Sequence, residues 1–304
     1  MMDNSLINYL STGIWRIRSR DLPPLKGFFL RHLRILTLTA RESVKDKCLL
    51  RATALTFYSL FSIGPVVALA LGIATWFGLK QRFEANVLAK LPVQEEVLTQ
   101  ILTYAHSLLD DTRGGVIAGV SVAMLLWSAM KLLNHLEQSF NDIWQVEKSR
   151  SWKTRISNYL SFLILAPLFL LIYSSIPAFV TSQLDDLSAK LTFLAKVSPK
   201  IIDLLQLLPY LLIWTVFSLV YLLIPNTRVK PISGILAGVL AGTAYLVVQW
   251  ALIDFQVGVT RYNPIYGSLA ALPLLLLWMN VGWIVLLIGA EYAYAHQNLS
   301  LIHI

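Results

Sequence analysis

The 304 residues carry 14% charged side chains against 56% hydrophobic ones, whereas a soluble domain carries about 25% charged. That balance excludes an ordinary soluble enzyme, and the length suits one helical bundle with no room for a large second domain. The net charge of +8 collects in alternate gaps between apolar blocks, so membrane topology accounts for it before any nucleic-acid partner does.

Residues 1–51 read as a basic cytoplasmic region. Arg16, Arg18, Arg20 and Lys26 occur without a compact apolar segment ahead of a small-residue cleavage site, so the first spanning helix is expected to serve as the insertion signal. Residues 27–51 read as an amphipathic helix on the membrane surface. Phe28, Leu33, Leu36 and Cys48–Leu50 would supply its apolar contacts, while Arg31, Arg34, Arg41, Lys45 and Lys47 face headgroups. Such a helix fixes orientation or selects lipids. Cys48 is the single cysteine, so no internal disulfide forms.

Six apolar blocks follow, approximately Thr53–Gly78, Val116–Leu136, Tyr159–Ser182, Ile201–Pro225, Ile232–Ile253 and Ile265–Glu291. Each is long enough to cross a hydrocarbon core, which needs about 20 apolar residues in a helix. They are apolar all round, whereas a membrane β-strand alternates over about 10 residues. The expected fold is all-α: a polytopic bundle of about six transmembrane helices over residues 52–294, with amphipathic interfacial helices and a short tail over 295–304. Pro65, Pro167, Pro177, Pro209 and Pro273 fall within the blocks and predict kinks or breaks. Basic residues before Thr53, then Lys148, Arg150, Lys153 and Arg155, then Arg228 and Lys230, place both termini in the cytoplasm. The first outer connection, about 80–115, has apolar positions at helical spacing (Val97, Ile101, Leu102, Ala105). It could cover the bundle, lie on the outer leaflet or meet an envelope protein.

Polar residues inside the blocks are few. In the second block Trp127, Lys131, Asn134, Gln138 and Asn141 recur every three or four residues, with His135, Glu137 and Asp142 nearby. Lipid cannot satisfy such a stripe, so it lines a cavity or forms a structural seam, and Lys131 could instead snorkel to the near surface. Thr53, Thr56, Ser59 and Ser62 line one side of the first block, a pattern suited to close helix packing, with a polar pathway as the alternative. Gly234, Gly238 and Gly242 give the fifth block a similar face. The turn Ile224–Pro231 offers Arg228 and Lys230 to lipid phosphates. Glu291, at the inner end of the last block, is expected to pair with a cation such as Arg51.

Four segments give the chain a family resemblance: RATALTFYSLFSIGP, LLWSAMKLLNHLEQSFNDIW, YLLIPNTRVKP with its following glycine face, and IYGSLAALPLLLLWMNVGWIVLLIGAEYAYA. In their order and spacing, from Arg51 to Tyr294, the chain resembles the BrkB/YihY family of bacterial inner-membrane proteins. The resemblance implies six spanning helices in the bacterial cytoplasmic membrane and a link to envelope integrity or the movement of lipids. Lys131 departs from the small or apolar residue expected there. Some relatives carry a ribonuclease label, but no HExxH motif, nucleophile elbow, Walker A loop or cytoplasmic carboxylate cluster supports an enzyme here. The expectation is a translocator of an anionic lipid or related amphipath, with a scaffold for another envelope protein as the alternative. No cofactor, metal or nucleic acid is implied. Arg51, Lys131 and Arg228 would meet the headgroup, Asn134 and Asn141 line a polar seam, Tyr58 sits among the hydroxyls of the first block, Tyr266 gates near the outer kink, and Glu291 holds a cation.

Overall fold

A computed structural model of the chain describes residues 23–81, 83–85, 95–111, 115–147, 150–151, 153–161, 207–262 and 264–299. Among these residues the regular structure is helical, with no strand. The long helices are α1 Pro24–Lys45, α2 Cys48–Trp76, α3 Glu95–Asp111, α4 Gly115–Ile143, α5 Leu208–Leu223, α6 Pro231–Tyr262 and α7 Pro264–Asn298. A shorter helical segment covers 153–161.

Three described helices are long and apolar enough to cross a membrane: Cys48–Trp76, Pro231–Phe255 and Leu272–Asn298. The 29 residues of α4 cover the second predicted block. The third block is described only to residue 161 and the fourth only from 207. A helix bonds its own backbone internally, which is what a lipid-solvated segment requires.

The prolines within the described blocks do not break their helices. α2 runs through Pro65 and α7 through Pro273 without interruption, while Pro209 lies in the first turn of α5, where a missing N–H costs nothing. Pro167 and Pro177 lie outside the described residues. The abrupt turn comes instead between α1 and α2, where Lys47 adopts a left-handed conformation at φ 55°.

α2 is the centre of the packing. It meets α4 and α7 along its Cys48 end and α3 along its Trp76 end. The predicted hydroxyl stripe makes these contacts. Asn280 Nδ2 donates to Thr56 Oγ1 at 3.2 Å, Trp283 Nε1 donates to Ser59 Oγ at 3.0 Å, and Ser62 Oγ donates to the Ser128 carbonyl at 3.0 Å. α3 covers the far end of α2 with Leu98, Leu102 and Ala105 buried, so this amphipathic segment packs on the bundle.

α5 and α6 approach so closely that only glycine fits between them. A Cβ on Gly238 would sit 2.6 Å from the Ser218 backbone nitrogen, and one on Gly242 would meet the Trp214 ring at 2.8 Å. Tyr221 from α5 reaches across to donate to the Leu286 carbonyl of α7 at 3.1 Å. The larger core gathers at the end of the bundle where α1 lies, with Ile35, Leu38, Leu55, Phe140, Ile143, Tyr221, Leu287 and Ala293 among its members.

Candidate functional site: polar groups at the α1 end and along α4

Arg51, in the first turn of α2, donates from Nε to the Asp46 carbonyl at 2.7 Å and pairs through Nη1 with Asp142 at the end of α4. It therefore clamps the α1–α2 turn to α4. The expected Arg51–Glu291 pair does not form. Glu291 is fully buried, and its Oε1 faces the Cys48 thiol at 3.6 Å. Cys48 is the α2 side chain that faces Glu291, and Arg51, three residues on, is turned toward Asp142.

Arg34 also departs from expectation. It is 4% exposed on the inward side of α1, and burial pulls its guanidinium below the ordinary value. Arg31, Arg41, Lys45 and Lys47 do face outward, beside the exposed Leu25, Phe28, Phe29, Leu33, Leu36 and Val44.

The predicted stripe on α4 divides in two. Its inward edge is a fixed seam. Glu137 is 1% exposed, accepts from Tyr159 Oη at 2.6 Å and lies 3.6 Å from Arg155 Nε. Arg155 also donates to Asn134 Oδ1 at 3.1 Å. One helical turn further, Asn141 Oδ1 accepts from the Asn226 backbone N–H at 2.8 Å, and Arg150 donates to Asn226 Oδ1 and to the carbonyls of Leu223 and Pro225. These bonds tie α4, residues 150–161 and the α5–α6 turn together. A pocket beside Glu137, lined also by Leu133, Arg150, Asn158 and Tyr159, has room for about one water. The seam is structural: Asn134 and Asn141 are occupied in holding it.

The outward edge of α4 is different. Trp127, Lys131 and Gln138 are exposed, and Lys131 Nζ sits 5.1 Å from the Trp127 ring centroid, within cation–π range. Asn141 marks the level of the α5–α6 turn, so Lys131, ten residues before it at 1.5 Å per residue, stands about 15 Å up the helix. Tyr58 stacks on His135 with centroids 3.9 Å apart, closing α2 against α4. Tyr266 belongs to the first turns of α7, and its side chain lies outside the described residues.

Arg228 is exposed and contributes only its backbone: its carbonyl accepts from Gln297 Nε2 at 3.3 Å, while Gln297 Oε1 takes the Lys230 N–H at 2.8 Å. α7 thus fixes the course of the α5–α6 turn. Sequence reasoning missed Arg155, Tyr159, Asn280 and Trp283 as polar partners. Their partners lie 18 or more positions away, beyond any helical period, so only the fold brings them together. Among the described residues no group of three His, Cys, Asp or Glu side chains is placed to hold a metal.

The profile of the family described as Virulence factor BrkB matches residues 39–301. A UPF0761 membrane protein of Halorhodospira halophila (strain DSM 244 / SL1) is 30% identical over 256 residues, covering 83% of this chain and 54% of its own length. A second from Ralstonia nicotianae (strain ATCC BAA-1114 / GMI1000) is 28% identical over 277 residues, 90% of this chain and 61% of its own. A third from Haemophilus influenzae (strain 86-028NP) is 26% identical over 248 residues, 80% of this chain and 87% of its own. The chain therefore spans less than two thirds of the first two relatives. No solved structure matches it.

Proposed function

We propose, for a chain that belongs to the BrkB family of integral membrane proteins, that it translocates or hands over an anionic lipid or related amphipath in the bacterial cytoplasmic membrane. The observation that carries this reading is Lys131. A cation on the outward side of a membrane helix is expensive unless its chain reaches the interface or something anionic shares its environment. A phosphate-bearing headgroup moving along α4 would meet its ammonium there, with the Trp127 face stabilising the cation between visits. Fixing α4 through the Glu137–Arg155–Tyr159 seam keeps that lysine at one depth. The basic gaps assign both termini and the α1 end to the cytoplasm.

A scaffold role is the second reading. It is favoured by the exposed Gln100, Thr103, Tyr104 and Ser107 on α3, a polar face suited to another envelope protein.

The test is transbilayer movement of a labelled anionic phospholipid in vesicles. The purified protein should accelerate it over protein-free vesicles at the same lipid composition. Equal rates with and without protein would remove the translocator reading and leave the scaffold.

A further inference from the structure

Three elements bring basic side chains to one place at the α1 end. Arg31 and His32 stand one turn before Ile35 on α1, which packs in one core with Tyr292, Ala295 and Leu299 of α7, and the charges of Arg31, His32 and of Lys230 on the α5–α6 turn all act on the His296 ring. The Arg31 charge also acts on Tyr292, one turn before His296 on α7. Arg228 precedes Lys230 on the same turn.

The scaffold beneath these side chains is fixed. Gln297 bonds the backbone on both sides of Val229, and His296 Nδ1 shares a hydrogen bond with Ser233 Oγ at 2.9 Å. Ser233 is 1% exposed in the first turn of α6. His32 Nδ1 is held against the Phe28 carbonyl at 3.0 Å and its ring lies 4.1 Å from that of Phe28, which fixes the half-buried imidazole. Arg31, Arg228 and Lys230 are exposed.

Among the described residues no ion pair involves Arg31, Arg228 or Lys230. Of the carboxylates at this end, Glu42 pairs with Lys45, Asp142 with Arg51 and Glu137 with Arg155, while Glu291 is buried against the Cys48 thiol. Like charges brought together on a fixed backbone repel, and an anion with several acceptor oxygens relieves that repulsion. The first turn of a 32-residue helix, α6, adds its positive dipole end from the same side.

We infer that Arg31, His32, Arg228, Lys230 and His296 form a phosphate-binding cradle between α1, the α5–α6 turn and the end of α7. The turn joins two membrane-directed helices, which sets the cradle at headgroup depth, and a phospholipid phosphate is the ligand it suits. Free phosphate offers the same chemistry. The inference rests on the reading above, since the cradle is where an anionic amphipath would first be held, but binding and movement are measured separately.

The experiment uses the full chain in neutral detergent. Binding of phosphatidylglycerol is titrated by native mass spectrometry, with inorganic phosphate titrated in a lipid-free arm. The double variant Arg31→Gln/Lys230→Gln is compared with Arg41→Gln/Lys47→Gln, which removes equal charge from exposed positions outside the cradle. The cradle variant should weaken phosphatidylglycerol binding by about tenfold or more, with the control within about twofold and both melting as wild type does. A matching loss in the phosphate arm identifies a free-phosphate site; a loss confined to lipid identifies a headgroup site. Equal weakening by both doubles, or by neither, overturns the cradle. Gln297→Ala, which frees the turn but leaves every cation, should give an intermediate loss. If vesicles show no lipid movement while the cradle variant still loses binding selectively, the translocator reading falls and the cradle stands.

Discussion

Arg155 and Arg228 lie at the same end of the molecule in opposite circumstances. Arg155 is sunk beside Glu137 and bonded to Asn134, whereas Arg228 is exposed and engages its neighbours only through its carbonyl. Sequence assigns both to positive gaps and treats them alike. The structure separates a cation that holds helices together from one that is free to meet a ligand. The same division runs along α4, where Asn134 and Asn141 are spent on the seam while Lys131 faces outward.

The comparison is broken most severely on the buried side. Glu137→Ala leaves Arg155 without its carboxylate and Tyr159 without its acceptor, and should cost about 3 kcal/mol in equilibrium unfolding from mixed micelles. Arg228→Gln removes a charge with nothing paired to it and should stay within about 0.5 kcal/mol of wild type. A similar loss from both would erase the distinction.

Glycine contacts test the packing that holds the two sides in place. Gly238→Ala drives a methyl into the Ser218 backbone and should cost about 2 kcal/mol, read as a lower thermal midpoint. Gly282→Ala is the control, because its Cβ would meet the Tyr245 ring at an ordinary 3.6 Å. Its midpoint should hardly move. The smallest effect belongs to the hydroxyl stripe: a double-mutant cycle between Asn280 and Thr56 should return a coupling of about 0.6 kcal/mol, typical of hydrogen bonds between membrane helices. Zero coupling would mean that Thr56 serves only as a small residue.

The all-α membrane architecture was legible in the sequence because an apolar block with no polar face has one suitable solvent. The hydroxyl and glycine faces were legible for the same reason, since small residues at a fixed helical spacing have a single packing use. The partners of charged residues were not. Arg51 is nearer in sequence logic to Glu291, the last acid of its block, yet the fold brings Asp142 to it and leaves Glu291 with a thiol. Periodicity reports which residues share a face, but carries nothing about what lies opposite. The Asn134–Asn141 stripe shows the limit: its spacing was right, while its division into a seam and an outward edge depends on residues 150–161 folding back upon it.

The central claim is that the outward lysine of α4, and not the inward seam, serves the lipid. Movement of labelled phosphatidylglycerol across vesicles containing wild type, Lys131→Ala or Asn134→Ala tests it directly, with folding of each checked by its melting curve. The account predicts that Lys131→Ala loses most of the protein-dependent rate while melting as wild type does, and that Asn134→Ala melts earlier but moves lipid at the wild-type rate below its midpoint. A wild-type rate from Lys131→Ala would contradict it.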